Sequence, residues 1–103
     1  MSPGDYKYQR LNKNEARKLI TRLVANERIR FSNHAYERME EREISIQDAL
    51  NVLESPSSFI LGEGELEKGS YRYQLCTNRF KLAVGFTSDG LEVVVLSVMR
   101  RTP

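Results

Sequence analysis

Tryptophan is absent from this chain of 103 residues, and cysteine and histidine occur once each, as Cys76 and His34. One thiol cannot close an internal disulfide, so nothing asks for an oxidising compartment. One His and one Cys supply a zinc site poorly, because such sites draw most of their four donors from those two residue types. Neither a metal nor a cofactor is therefore expected. No apolar run approaches the ~20 residues of a membrane-spanning helix. Met1 to Arg10 is polar, unlike a secretion signal, so a cytoplasmic location without membrane contact is expected. The chain also lacks a glycine-rich phosphate loop and a Gly-x-Ser-x-Gly nucleophile elbow, which removes the commonest routes to nucleotide binding and serine hydrolysis.

What remains is a globular composition, 40% hydrophobic and 29% charged, at a length that fits one domain. The reading is a flexible arm over 1–11 followed by a single domain over 12–103. Asn12 and Glu15 form a capping box, and Ala16, Leu19, Ile20 and Leu23 behind it recur at helical spacing, predicting a helix over about 13–26. Ile29 to Ser32 alternates as a short strand or extended link. Ser32 or Asn33 caps a second helix near 34–42. Ser45 and Asp48 cap a third, which Pro56 ends.

Beyond Pro56 the period changes to two. Phe59–Leu61 is a short strand and Gly62 to Gly69 an acidic, glycine-rich loop. Tyr71–Thr77 and Phe80–Phe86 alternate as strands, Asp89-Gly90 signals a hairpin, and Leu91–Val98 is apolar enough to be the central strand. Helices followed by strands predict an α+β fold, with three N-terminal helices packed on one face of a four- to five-stranded antiparallel sheet.

The net charge of +2 says little, but its distribution says more. The sheet half, 70–103, carries Arg72, Arg79, Lys81, Arg100 and Arg101 against Asp89 and Glu92. Alternation sorts Phe80, Leu82, Val84 and Phe86 toward the helices and Arg72, Gln74, Arg79 and Lys81 away from them. A shallow face with three cations and an amide could hold a phosphodiester. The same pattern also describes a solvated strand face. Tyr71 and Tyr73 could stack on bases, but they share parity with Leu75 and read equally as core.

His34 opens the second helix, with Arg38 one turn on. The helix dipole, Arg30 and Arg38 all disfavour a charged imidazole there, leaving a ring able to accept a proton. The plainer alternative is a histidine that fixes the helix start. Arg38 and Arg42 stand among Glu37, Glu40, Glu41 and Glu43, and also read as a surface of exposed ion pairs.

The stretch from Ile29 to Ser45 contains Phe31-Ser32-x-His34-Ala35-x-x-Arg38-Met39-x-x-Arg42-x-Ile44. It resembles the signature of a small bacterial family long known only as a domain of unknown function, grouped with the RelE-like and MqsR-like toxins of toxin–antitoxin pairs. The likeness extends over roughly 29–100. It implies a RelE-like sheet with helices on one face, and RNA cleavage restrained by a cognate antitoxin, with the ribosome as a further partner. His34, Arg38 and Arg42 match the motif; the sheet cations match only in kind and place.

The expected function is a toxin acting as an endoribonuclease without metal, cleaving mRNA by attack of a ribose 2′-hydroxyl. His34, Arg38, Arg72 and Lys81 form the expected catalytic set, and Tyr73, Gln74, Arg79 and Arg100 the RNA-binding set. Two other readings compete with it. One is a module that grips RNA or an acidic protein segment on the basic face without chemistry; the other is a regulatory protein whose arm orders on a partner.

Overall fold

The computed structural model describes residues 6–101. Its elements are α1 (Lys13–Ala25), β1 (Ile29–Phe31), α2 (Asn33–Glu41), α3 (Ile46–Glu54), β2 (Phe59–Glu67), β3 (Ser70–Cys76), β4 (Phe80–Phe86) and β5 (Val93–Arg100). The fold is α+β, with three helices and one mostly antiparallel five-stranded sheet in the order β1-β5-β4-β3-β2. The helices are not all N-terminal to the sheet. β1 falls between α1 and α2 and pairs in parallel with β5, Ile29 opposite Val93 and Phe31 opposite Val95. The middle strand is β4, not β5.

Local chemistry explains the helix ends. The Asn12 side chain accepts from the Glu15 N–H and Glu15 returns the bond to Asn12, and Ser45 and Asp48 do the same at α3. Ser32 Oγ accepts from the Ala35 N–H at 3.0 Å and caps α2. At the other end of α2, Glu43 takes a left-handed conformation at φ 55°, and the Ile44 N–H reaches back to the Met39 carbonyl at 2.9 Å. This Schellman ending turns the chain sharply into α3 and leaves the Arg42 and Glu43 carbonyls facing outward.

Ala16, Ile20, Ala35, Met39, Ala49 and Leu53 from the helices join Tyr73, Leu75, Leu82, Val84, Val95 and Val98 of the sheet in one buried cluster. The alternate residues of the same strands, among them Gln74, Lys81 and Ala83, are only partly covered and form the open face.

The acidic segment expected to be a loop is strand. β2 runs without interruption from Phe59 to Glu67, and only Lys68 and Gly69, both at positive φ, turn the chain into β3. Phe59 to Leu61 pair with Cys76 to Gln74, then Glu65 to Glu67 with Arg72 to Ser70, across a bulge over 62–64. The bulge brings Gly64 onto Tyr73, so close that a Cβ there would lie 2.5 Å from the ring. A bulge of this kind bends an edge strand away from further pairing.

The expected loose arm is partly docked. The Tyr6 N–H donates to the Ser88 carbonyl at 3.2 Å, the Tyr71 N–H to the Lys7 carbonyl at 2.8 Å, and the Leu11 N–H to the Tyr73 hydroxyl at 2.8 Å. Residues 1–5 of that arm lie outside the described residues.

β5 has a parallel partner only as far as Val95, because the chain leaves β1 at Phe31 and enters α2. Arg42 occupies the vacated edge and donates Nη1 to the Val98 carbonyl at 2.7 Å. Arg100 returns the contact, donating to the Arg42 carbonyl and, at 2.9 Å, to that of Glu43. Charge-assisted hydrogen bonds at a part-buried site contribute about 1.5–3 kcal/mol. Arg42→Ala is therefore expected to lower unfolding free energy by about that amount in urea titration, and Glu40→Ala by less than about 0.5 kcal/mol, as for an ordinary surface change.

Candidate functional site

The residues expected to act on RNA separate into two groups. His34 and Arg38 lie one turn apart on one flank of α2, His34 exposed and Arg38 partly so. Arg38 Nε approaches His34 Nε2 at a long 3.4 Å, and its Nη1 makes an ion pair with Glu41 Oε2 at 2.9 Å. Tyr36 is on the opposite flank, its ring 5.7 Å from that of Phe31. The Arg38–Glu41 pair is solvated at both ends, at 40% and 60% side-chain exposure, so a phosphate could displace the carboxylate at a cost of about 1 kcal/mol or less.

Gln74 and Lys81 stand on the open face, registered with Ala83 and with Cys76 and Met99 respectively. Arg72 shares that face but lies in acidic surroundings. It lines a small cleft of about 50 Å³ with Glu63, Glu65, Glu67 and Gln74, pairs with Glu67 at 3.5 Å, and sits opposite Glu65. Its Nε is buried and has no hydrogen-bond partner among the described residues. Arg10 also pairs there, with Glu63 at 3.4 Å, so three carboxylates stand against two guanidiniums and this end of the face still opposes a phosphate. The expected basic face is therefore basic only at its other end. Arg72 also stands two strands in from β5, about 10 Å of sheet from the strand that α2 packs on, at ~4.8 Å per strand.

Two of the expected RNA contacts, Tyr73 and Arg100, have other work, and a third, Arg79, remains available. Tyr73 is 1% exposed, packs its ring 5.6 Å from Phe86 and accepts from Leu11, so it is core and no base can stack on it. Arg100 clamps the end of α2 rather than facing the open sheet. Arg79 is exposed in the turn just before β4 with its guanidinium 5.6 Å over the Phe80 ring, free to exchange that contact for a phosphate.

Two features escaped the sequence reading. One is the Arg42–Arg100 clasp. The other is Arg101, whose guanidinium lies 5.6 Å over the exposed Phe59 ring and donates to the Thr77 carbonyl at 3.0 Å. The period-two spacing of Glu63, Glu65 and Glu67 was a strand signal that Gly62 and Gly64 obscured. Among the described residues, no group of three or more His, Cys, Asp or Glu could hold a metal ion. No helix there is long and apolar enough to cross a membrane.

These features define an α+β domain with an exposed imidazole–guanidinium pair beside its sheet. Residues 31–100 match the family model described as a domain of unknown function, DUF4258, and the chain belongs to that family. No curated protein and no solved structure matches it.

Burial pushes the Tyr73 phenol and the Cys76 thiol above their ordinary ionisation ranges; Leu11 opposes this at Tyr73, and Arg101 and Lys81 at Cys76. Folded pKa values above the unfolded ones mean that the folded state holds these protons longer. Their contribution is complete at neutral pH and is lost as pH rises past about 8.5 for the thiol and 10 for the phenol. Urea midpoints are expected to fall from pH 8 to 10.5, and Cys76→Ala to flatten the lower part of that fall.

Proposed function

We propose that this protein is a RelE-like endoribonuclease, the toxin of a toxin–antitoxin pair, that cleaves RNA through its own side chains without a metal. The observation that carries the reading is the exposed His34–Arg38 pair. The imidazole Nε2 accepts only a long contact from a guanidinium whose carboxylate partner is solvated and exchangeable, so turning Arg38 onto a phosphate releases that nitrogen to take a proton. That combination suits removal of a proton beside a bound phosphate.

In this scheme His34 takes the proton of a ribose 2′-hydroxyl. The 2′-oxygen attacks the adjacent phosphorus, the bond to the 5′-oxygen breaks, and that oxygen leaves with a proton supplied from a protonated group or water. The products are a 2′,3′-cyclic phosphate and a 5′-hydroxyl. Arg38 orients the phosphate and offsets the charge gathering on its oxygens. Gln74, Lys81 and Arg79 lie along the path of the strand across the open face. The antitoxin and the ribosome are the partners of this reading, and RNA its substrate.

Arg72 has the weakest claim among the original set, because its surroundings are acidic. The separation of Arg72 from α2 is also the observation that favours the second reading, a module that binds RNA and performs no chemistry.

A mixed RNA incubated with the folded protein in EDTA decides between them. Wild type is expected to cleave it. His34→Ala should lower the rate about 10²–10⁴-fold, as removal of a general base does. Arg38→Ala should weaken both binding and rate, and Arg72→Ala should change the rate less than about threefold, near the size of an ordinary surface substitution. Binding of RNA without cleavage would move the assignment to the binding module. A threefold loss or less in His34→Ala would remove that residue from the mechanism.

A further inference from the structure

Several side chains on the open face make no ion pair among the described residues, Lys81 at its basic end among them, and two of these are opposite in sign and placed on either side of its middle. Glu65 is exposed and Arg101 partly so, and neither takes part in the ion pairs among the described residues. Their positions are related. Phe59, which carries the Arg101 guanidinium, is registered with Cys76; Glu65 is registered with Arg72; and Gln74, opposite Leu61, stands midway between. Arg101 and Glu65 thus sit over the same strand, β2, about 6.6 Å on either side of a line through Leu61 and Gln74.

We propose that the open face binds a second copy of this chain across a two-fold axis lying along that line. A two-fold interface requires each patch to be its own complement. Rotation about an axis that runs across the strands keeps β2 over β2 and exchanges its two ends. Glu65 of each copy then meets Arg101 and Phe59 of the other. Leu61, 41% exposed, meets Leu61 at the axis, and the exposed edge of Phe59 is covered. The acidic end of β2 around Glu65 and Glu67 faces the Arg101 guanidinium over Phe59 in both halves. A single basic partner would satisfy one end only, and a single acidic partner the other.

The face is small. Four strands ~4.8 Å apart, each about seven residues long at ~3.3 Å per residue, span roughly 20 by 23 Å. That is less than the ~800 Å² that each partner gives to a standard interface. The dimer is accordingly weak, with a dissociation constant on the order of 10 µM. A second copy covers Gln74 and Lys81, so it and an RNA strand are alternative occupants of this face; the proposal does not rest on nuclease activity, and its test uses no RNA.

Sedimentation equilibrium of the full chain, from about 1 µM to 0.5 mM, spans the expected midpoint. Wild type is expected to pass from monomer to dimer, and to dissociate in about 1 M salt, where the screening length falls to ~3 Å. Glu65→Arg and Arg101→Glu should each weaken the dimer at least tenfold by opposing like charges. The double variant, which exchanges the two signs, should return to within threefold of wild type. Leu61→Glu, at an exposed position, should abolish dimerisation while thermal melting shows the fold intact. A monomer throughout the range would overturn the proposal. So would a folded double variant no tighter than the single ones, or a Leu61→Glu variant that still dimerises like wild type.

Discussion

The free edge of β5 beyond Val95 sets the terms for the rest of the molecule. β1 pairs with β5 for three residues and then stops, leaving strand carbonyls that must be satisfied or solvated. The chain answers with a helix and two arginines. Arg42 on α2 reaches the Val98 carbonyl, and Arg100 on β5 reaches the carbonyls that end α2. Each element thus caps the other. The clasp fixes the angle of α2 against the sheet, and so fixes where His34 and Arg38 are presented. Arg100, expected from the sequence to contact RNA, and Arg42, which matched the family signature, instead hold the site's platform in place.

A second constraint is the division of charge over the open face. Apart from the bulge in β2 and a register shift between β4 and β5, the strands alternate, so the face is specified by the residues between the core positions. Three glutamates from β2 gather round Arg72 at one end, while Lys81 and Arg101 lie at the other. A phosphodiester approaching this face meets repulsion on one side and attraction on the other. That polarity shifts the proposed chemistry toward α2. It also gives the face a sense of direction that a single phosphate backbone does not need and a second copy of the chain does.

Much of the fold is legible in the residues themselves. Caps at Asn12, Ser32 and Ser45 announce the helices, because a side-chain oxygen must satisfy the first free N–H groups of each. The Phe80–Phe86 alternation announces the core face. Elements became illegible where two signals competed. Gly62 and Gly64 mark a bulge and a close approach to Tyr73, yet in the sequence they break up the Glu63, Glu65 and Glu67 pattern and suggest a loop. β1 is too short to reveal that its partner lies 64 residues on and runs parallel. For the site, the proximity of His34 and Arg38 followed from helical geometry alone. The parity of Tyr73 with Leu75 already marked it as core, whereas the clasp of Arg100 on the end of α2 and the glutamates around Arg72 depended on strand pairing that no local pattern reports.

The central claim is chemical, since it holds that the attacking group is the RNA's own 2′-hydroxyl and that the protein moves the protons. The most direct measurement is therefore on the substrate. One RNA and the same sequence fully 2′-O-methylated are incubated with the folded protein in EDTA, and the ends of any fragments are identified by mass. The account predicts cleavage of the unmodified strand only, leaving 2′,3′-cyclic phosphate and 5′-hydroxyl ends. Cleavage of both strands, or fragments ending in a 5′-phosphate, would contradict it.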